Sequence, residues 1–360
     1  MAEDPVTTER GRTVPRRAIA AVAIVAVVVA GAAVAGVRSR SRSESASSAD
    51  ASVVVDEATT TTTQLVPKAP DISTYVSPDQ PTAVGVRTAT FVDPTRGTSA
   101  RGERPALADR PLQVTIRYPT VGMPSGDELV DAPTYVPAPL LLFAHGYDIS
   151  SSRYDNLLHD LASFGFVVVA PEFPMSSTVF DGSPDEYDIP EQARDLSFLI
   201  SALTGPDAPP EYTQMISPGP VGLIGHSDGA VTVLLAAYAP RYADSRVGAV
   251  VAISGDYDTF GGNWFTTNDP PLIAVHGEWD EINPFYSSEE LVANDPGPAM
   301  LVGVMGSTHL AAANGPENEP SVARLSAFDF RWRLQGSETA RAATYAQAMT
   351  PPLEIVTDHD

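Results

Sequence analysis

From about residue 71 onward, short apolar runs alternate with longer stretches in which Leu and Ile recur at helical spacing. Val114 to Tyr118, VTIRY, alternates apolar and polar positions, as a strand with one covered face does. Pro139–Ala144 (PLLLFA), Phe166–Ala170 (FVVVA), Val221–Ile224, Val247–Ile253, Pro271–Val275 and Ala299–Met305 are continuous apolar runs, which predicts strands covered on both faces. Between them, Tyr154–Ser163, Pro190–Leu203 and Ala230–Tyr238 read as helices. Strand and helix alternating in this way predict an α/β protein with a mostly parallel sheet and right-handed crossovers. In such sheets the chemistry gathers at the carboxyl ends of the strands. The chain holds no internal repeat, and the segments NGPENEP (314–320) and IVTDHD (355–360) carry no pattern that separates loop from disorder.

The first 70 residues follow a different pattern. Ala18 to Val37 is an uncharged run long enough to cross a bilayer core of roughly 30 Å as a helix. It predicts a transmembrane or signal-anchor helix behind a short cytoplasmic N-terminus, residues 1–17. A cleaved signal is the alternative, with Ala33-Val34-Ala35 as a small-residue cleavage site and Arg16-Arg17 a partial twin-arginine feature. Arginines flank the run on both sides, so the positive-inside rule favours a cytoplasmic N-terminus only slightly. Residues 38–70 are rich in Ser and Thr, include a five-threonine run and lack aromatics before Gln64, so they bury too little apolar surface to offset ordering. They read as a disordered linker to a folded domain over 71–360, placed outside the membrane or secreted.

Composition narrows the partners. A net charge of −23 argues against a sequence-independent grip on nucleic acid. The absence of cysteine excludes disulfides, thiolate metal sites and a cysteine nucleophile. Hydrophobic content of 43% is enough for a sizeable core.

The stretch LIGHSDGAV, residues 223–231, places Ser227 between Gly225 and Gly229, after a predicted strand and before a predicted helix. This is the context of the GxSxG nucleophile elbow, where glycine on either side removes side chains that would collide. A serine nucleophile needs a base, and the chain has six histidines. His226 belongs to the elbow, His159 to a predicted helix, His276 to the end of an apolar run and His359 to the tail, while His145 precedes Gly146 in a candidate oxyanion loop. His309, in MGSTHLAAA past the last apolar run, is the base that fits the chain order Ser, acid, His. Asp280, in AVHGEWDEINP directly after a predicted strand, is the acid; Asp256 and Asp258 in ISGDYDTF are its rivals one strand earlier. The amides of Tyr147 and Asp228 are the candidate oxyanion donors. No metal or organic cofactor is implied.

FAHGY, LIGHSDGA, HGEWDEINP and GSTHL, in this order, resemble the dienelactone hydrolase-like branch of the α/β-hydrolases, which includes platelet-activating factor acetylhydrolase-like proteins and bacterial polyester hydrolases and cutinases. AVGVRTATFVDPTRG (83–97) and LQVTIRYPT are similar to the first strands of the acetylhydrolase-like members, and the likeness runs from about Tyr75 to Leu334. The resemblance implies an α/β-hydrolase fold with Ser227, Asp280 and His309 as triad, acting on small-molecule or lipid esters. Two departures stand out: Asp228 follows the serine where polyester hydrolases carry a hydrophobic residue, and SGDYDTFGGNWF has no obvious counterpart. Tyr147, Phe260, Trp264 and Trp279 are candidates to line an acyl pocket. An acyltransferase or a polyester hydrolase would use the same triad. A membrane-tethered binding module that kept the fold and lost catalysis is the reading from another class.

Overall fold

The structure, a computed structural model, describes residues 80–134, 137–257 and 264–359. The expected helix over 18–37 and linker over 38–70 lie outside these residues. Among the described residues no helix is long and apolar enough to cross a membrane. In chain order the elements are β1 (Ala83–Asp93), β2 (Arg110–Thr120), β3 (Glu128–Val130), β4 (Leu140–Ala144), α1 (Asp155–Ser163), β5 (Val167–Glu172), α2 (Ile189–Thr204), α3 (Pro210–Thr213), β6 (Val221–His226) and α4 (Asp228–Tyr238). They continue with β7 (Val247–Ile253), β8 (Leu272–Gly277), α5 (Phe285–Asn294), β9 (Ala299–Val304), α6 (Ala311–Asn314), α7 (Glu319–Gln335), α8 (Glu338–Ala348) and β10 (Leu353–Asp358).

All the strands form one sheet in the order β10-β9-β8-β7-β6-β4-β5-β2-β1-β3. The stretch from β5 to β9 is parallel, while β2 pairs antiparallel with β1 and β5, and β10 pairs antiparallel with β9. The continuous apolar runs are the central strands, and alternate residues of each serve opposite cores. Leu140, Leu142 and Ala144 join one cluster with residues of α2 and α4; Leu141 and Phe143 join the other with residues of α1 and α7. That double burial explains the missing polar alternation. β2, nearer the edge, keeps a partial alternation over its first half.

Helix α4 is buried along nearly its whole length, from Gly229 to Tyr238. It lies against both the sheet and α2, where Thr232 donates to Gln192 Oε1 at 2.9 Å. A helix covered on all sides is apolar on all sides. The tail IVTDHD contributes Ile355 to Asp358 to β10, and NGPENEP leads into α7.

A buried ion cluster fastens β2 to α2. The Arg110 guanidinium, 1% exposed, donates to Asp195 from Nε (2.8 Å) and Nη2 (2.8 Å) and to Asp188 from Nη2 (2.6 Å). Arg96 adds a bond to Asp195 at 2.7 Å. Burial pushes the Asp188 carboxyl up to about 6 despite Arg110. Removing one partner of a buried cluster leaves charge without compensation. Arg110→Met is therefore expected to lower stability by about 3–5 kcal/mol, read from the denaturant midpoint at neutral pH.

Candidate active site

Ser227 sits between the last residue of β6 and the first of α4 with φ 58° and ψ −125°. A non-glycine residue in this region carries strain of order 1–3 kcal/mol, which the surroundings must impose. They do so by contact. A Cβ on Gly229 would lie 2.0 Å from the Ala144 carbonyl oxygen, and one on Gly225 would lie 2.2 Å from the Gly229 oxygen. Strand, turn and helix therefore close on each other only because both positions lack a side chain. Ser227 N donates to Ile253 O at 2.9 Å, fixing the turn to β7.

His309 follows β9 and brings Nε2 to 3.1 Å from Ser227 Oγ. Its Nδ1 is 2.8 Å from Asp280 Oδ2. A carboxylate only accepts, so Nδ1 carries the proton and Nε2 offers its lone pair to the serine hydroxyl. The Asp280 side chain is fully buried, and its Oδ1 accepts the amides of Ile282 (2.9 Å) and Asn283 (2.8 Å). Burial alone would raise this carboxyl, but hydrogen bonds from His276 and His309 outweigh it and hold it well below the usual carboxylate range. Gly277 lets the His309 loop approach: a Cβ there would meet Ser307 O at 2.7 Å. Trp279 N donates to Ser307 O (2.8 Å) and His309 N to Glu281 Oε2 (3.1 Å), tying the acid and base loops together.

Two further histidines support this arrangement. His226 is 1% exposed; its Nε2 donates to the His309 carbonyl (3.0 Å) and its Nδ1 accepts from Tyr154 Oη (2.9 Å). Burial, then the neighbouring His309, depresses its basicity to about 3, so it is neutral. His145 Nε2 accepts from Phe173 N (3.1 Å), leaving Nδ1–H to donate to Gly146 O (2.8 Å), which Ser176 also reaches at 3.5 Å. In a trans peptide the N–H opposes the C=O, so these bonds fix the Tyr147 amide pointing the other way. Gly146 itself abuts the serine, since a Cβ there would lie 3.1 Å from Ser227 Cβ. Among the described residues, neither the Tyr147 nor the Asp228 amide donates to a protein acceptor.

The structure thus gathers Ser227, Asp280, His309, Gly146 and the first turn of α4 at the carboxyl ends of the parallel strands. The described aromatic candidates stand in different surroundings. Trp264 is half-buried against the core that includes α2 and α4, and Trp279 is 64% exposed with its ring beside Gly306. Tyr147 is 43% exposed and its hydroxyl reaches Pro184 O at 3.4 Å. Phe260 and the rival acid Asp258 lie outside the described residues, and the other rival, Asp256, faces Ser287 Oγ at 3.5 Å. An open cleft of about 1050 Å³ lined by Arg117, Glu128, His159 and Glu319 contains none of the candidates. His276 and Tyr154 are the residues that sequence reasoning missed. His276 stands four residues before Asp280, a spacing without meaning until the turn at 277–280 brings the two together.

Parallel sheet, serine elbow and strand-end loops define the α/β-hydrolase fold. Residues 118–271 match the sequence model of the Chlorophyllase family, a stretch that holds the elbow and ends before Asp280. Among solved structures, a ferulic acid esterase from Streptomyces cinnamoneus superposes with a TM-score of 0.59 at 19% identity, covering 76% of this chain and 96% of that one. At this identity the likeness is one of fold. No curated protein matches the chain. Family match and fold together support a carboxylic ester hydrolase.

Asp228, the residue after the serine, is held mostly out of water. Burial first, then Glu186 and Asp256, push its carboxyl up to about 7 against the opposing pull of His309. Its Oδ2 is buried without a partner. Between about pH 4 and 7 the folded chain retains a proton that the unfolded chain has released, so this group's contribution to stability falls as pH rises through that window. Asp228→Asn, which cannot ionise, is expected to be near neutral at pH 4 and stabilising by roughly 2–4 kcal/mol at pH 8, measured by urea denaturation at both values.

Proposed function

We propose that this protein is a serine-dependent carboxylic ester hydrolase acting through an acyl-enzyme on Ser227. The observation that carries the reading is the continuous hydrogen-bonded chain Ser227–His309–Asp280 at 3.1 and 2.8 Å, ending on a serine held in strained backbone geometry. In this reading His309 Nε2 takes the Oγ proton as the serine attacks the ester carbonyl, while Asp280 stabilises the resulting imidazolium. The amides of Tyr147 and Asp228 receive the oxyanion, each worth on the order of 3 kcal/mol. The imidazolium returns its proton to the departing alcohol. Water, activated by the same histidine, then releases the acid and restores Ser227.

The substrate class follows from the site's charge and from the resemblance to the dienelactone hydrolase-like branch. The burial and the acidic neighbours Glu186 and Asp256 that push the Asp228 carboxyl up to about 7 would disfavour a carboxylate on the acyl group likewise, so neutral short-acyl or lipid esters suit the site. An alcohol in place of water would turn the same acyl-enzyme to acyl transfer. The uncharged run 18–37 is the segment that would hold the catalytic domain at the outer face of a membrane.

Turnover of a short-chain nitrophenyl ester by the full chain tests the assignment. Ser227→Ala and His309→Ala are each expected to reduce kcat by roughly 10⁴-fold or more with circular dichroism unchanged. Labelling by a fluorophosphonate should disappear in Ser227→Ala. A Ser227→Ala protein that turns over like the parent would sink the nucleophile assignment.

A further inference from the structure

His276 is the last residue but one of β8 and is completely buried. Its Nε2 faces two oxygens, Asp280 Oδ2 at 3.2 Å and the Asn283 carbonyl at 3.2 Å. Its Nδ1 is 2.7 Å from Ser288 Oγ on α5, itself fully buried. A carboxylate and a carbonyl only accept, so the ring proton sits on Nε2 and the Nδ1 lone pair takes the Ser288 hydroxyl proton. The edge-on Phe285 ring, 5.4 Å away, closes the site. Asp280 Oδ2 therefore lies against two imidazole N–H groups: His309 Nδ1–H donates to it at 2.8 Å, and His276 Nε2–H, which bonds the Asn283 carbonyl, stands 3.2 Å away, while Oδ1 accepts two backbone amides.

We propose that His276 is a positioning residue of the hydrolytic site: it anchors Asp280 and, by sharing Oδ2 with His309, weakens the carboxylate's hold on the His309 imidazolium. The inference rests on the esterase reading above. A hydrogen bond to the charged form of an acid lowers its basicity, and a less basic acid stabilises the neighbouring imidazolium less. The base then stays free at lower pH than it would beside a carboxylate bonded to one imidazole. The other titratable groups around the pair are Glu278 and Glu281 on the acid loop, His226 at the end of β6, Asp228 on α4, and Asp256 and Tyr257 after β7. Glu278 accepts from Gly306 N, Glu281 accepts from His309 N, and His226 donates to the His309 carbonyl. Among the described residues, His276 and His309 are the side chains that pair with Asp280, at 3.2 and 2.8 Å.

Two measurements on the full chain test this. Histidine-selective ¹⁵N NMR of the parent near neutral pH should show His276, identified by loss of its signals in His276→Gln, protonated on Nε2 and bare on Nδ1. The pH dependence of kcat/KM on a nitrophenyl ester should then separate the variants. His276→Met, which keeps length without a donor, is expected to move the acid limb to higher pH by about half a unit or more. His276→Gln, whose amide can still donate to Oδ2, is expected to return the limb toward the parent. An acid limb unmoved in both, or moved to lower pH in His276→Met with kcat falling, would overturn the proposal in favour of packing or simple support. So would an Nδ1–H tautomer in an active parent, which decides the matter even where His276→Met does not fold. A parent without esterase turnover instead overturns the hydrolase reading, and the role of His276 with it.

Discussion

Everything at the site depends on how closely the strand β6, the turn at Ser227 and the helix α4 are pressed together. The backbone at Ser227 is unfavourable for any side-chain-bearing residue, and it persists because Gly229 touches the Ala144 carbonyl and Gly225 touches Gly229. The strands on either side are held in register by continuous parallel pairing, with Ala144 opposite Gly225 and His226 opposite Ile253. The strain is thus supported by the double-sided core beneath it. The serine hydroxyl is delivered to one place before any substrate arrives.

The buried histidines divide the remaining work. His145 secures the Gly146–Tyr147 peptide, His226 the His309 carbonyl and His276 the Asp280 carboxylate. Each has both ring nitrogens bonded, so each is limited to one tautomer and gives direction to its partners. Imidazole suits this use because it can be buried neutral while still donating from one nitrogen and accepting at the other. The His309 side chain differs by being 12% exposed, with its Nε2 turned to the serine.

Much of this was legible in the residue order, and the reasons differ by element. The central strands announced themselves because burial on both faces leaves no polar positions. Their ends were read short: β6 and β8 continue through His226 and Gly277, since their histidines are buried in the sheet rather than part of a loop. Ser227, Asp280 and His309 could be singled out because chain order restricts the choice. Helix α7 carried a weaker signal because its covered face includes Ser326 and Asp329 among the apolar residues. β10 buries little beyond Leu353 and takes its form from pairing with β9. The partnership of Tyr154 with His226 spans 72 positions, which no local pattern encodes. For the candidate pocket aromatics, aromatic content alone does not say whether a ring faces a site, a core or solvent.

The three members of the serine site stand on strands at different depths in the sheet. Ser227 follows β6 in its middle, Asp280 follows β8, and His309 follows β9, which only the thinly buried β10 separates from the edge. Met305, at the root of the His309 loop, donates its amide to Pro352 just before β10. Fraying at a sheet edge costs far less than global unfolding. An opening that began at that edge would reach the His309 loop before the strands that carry Ser227 and Asp280, and would part His309 from a serine still held in a folded centre.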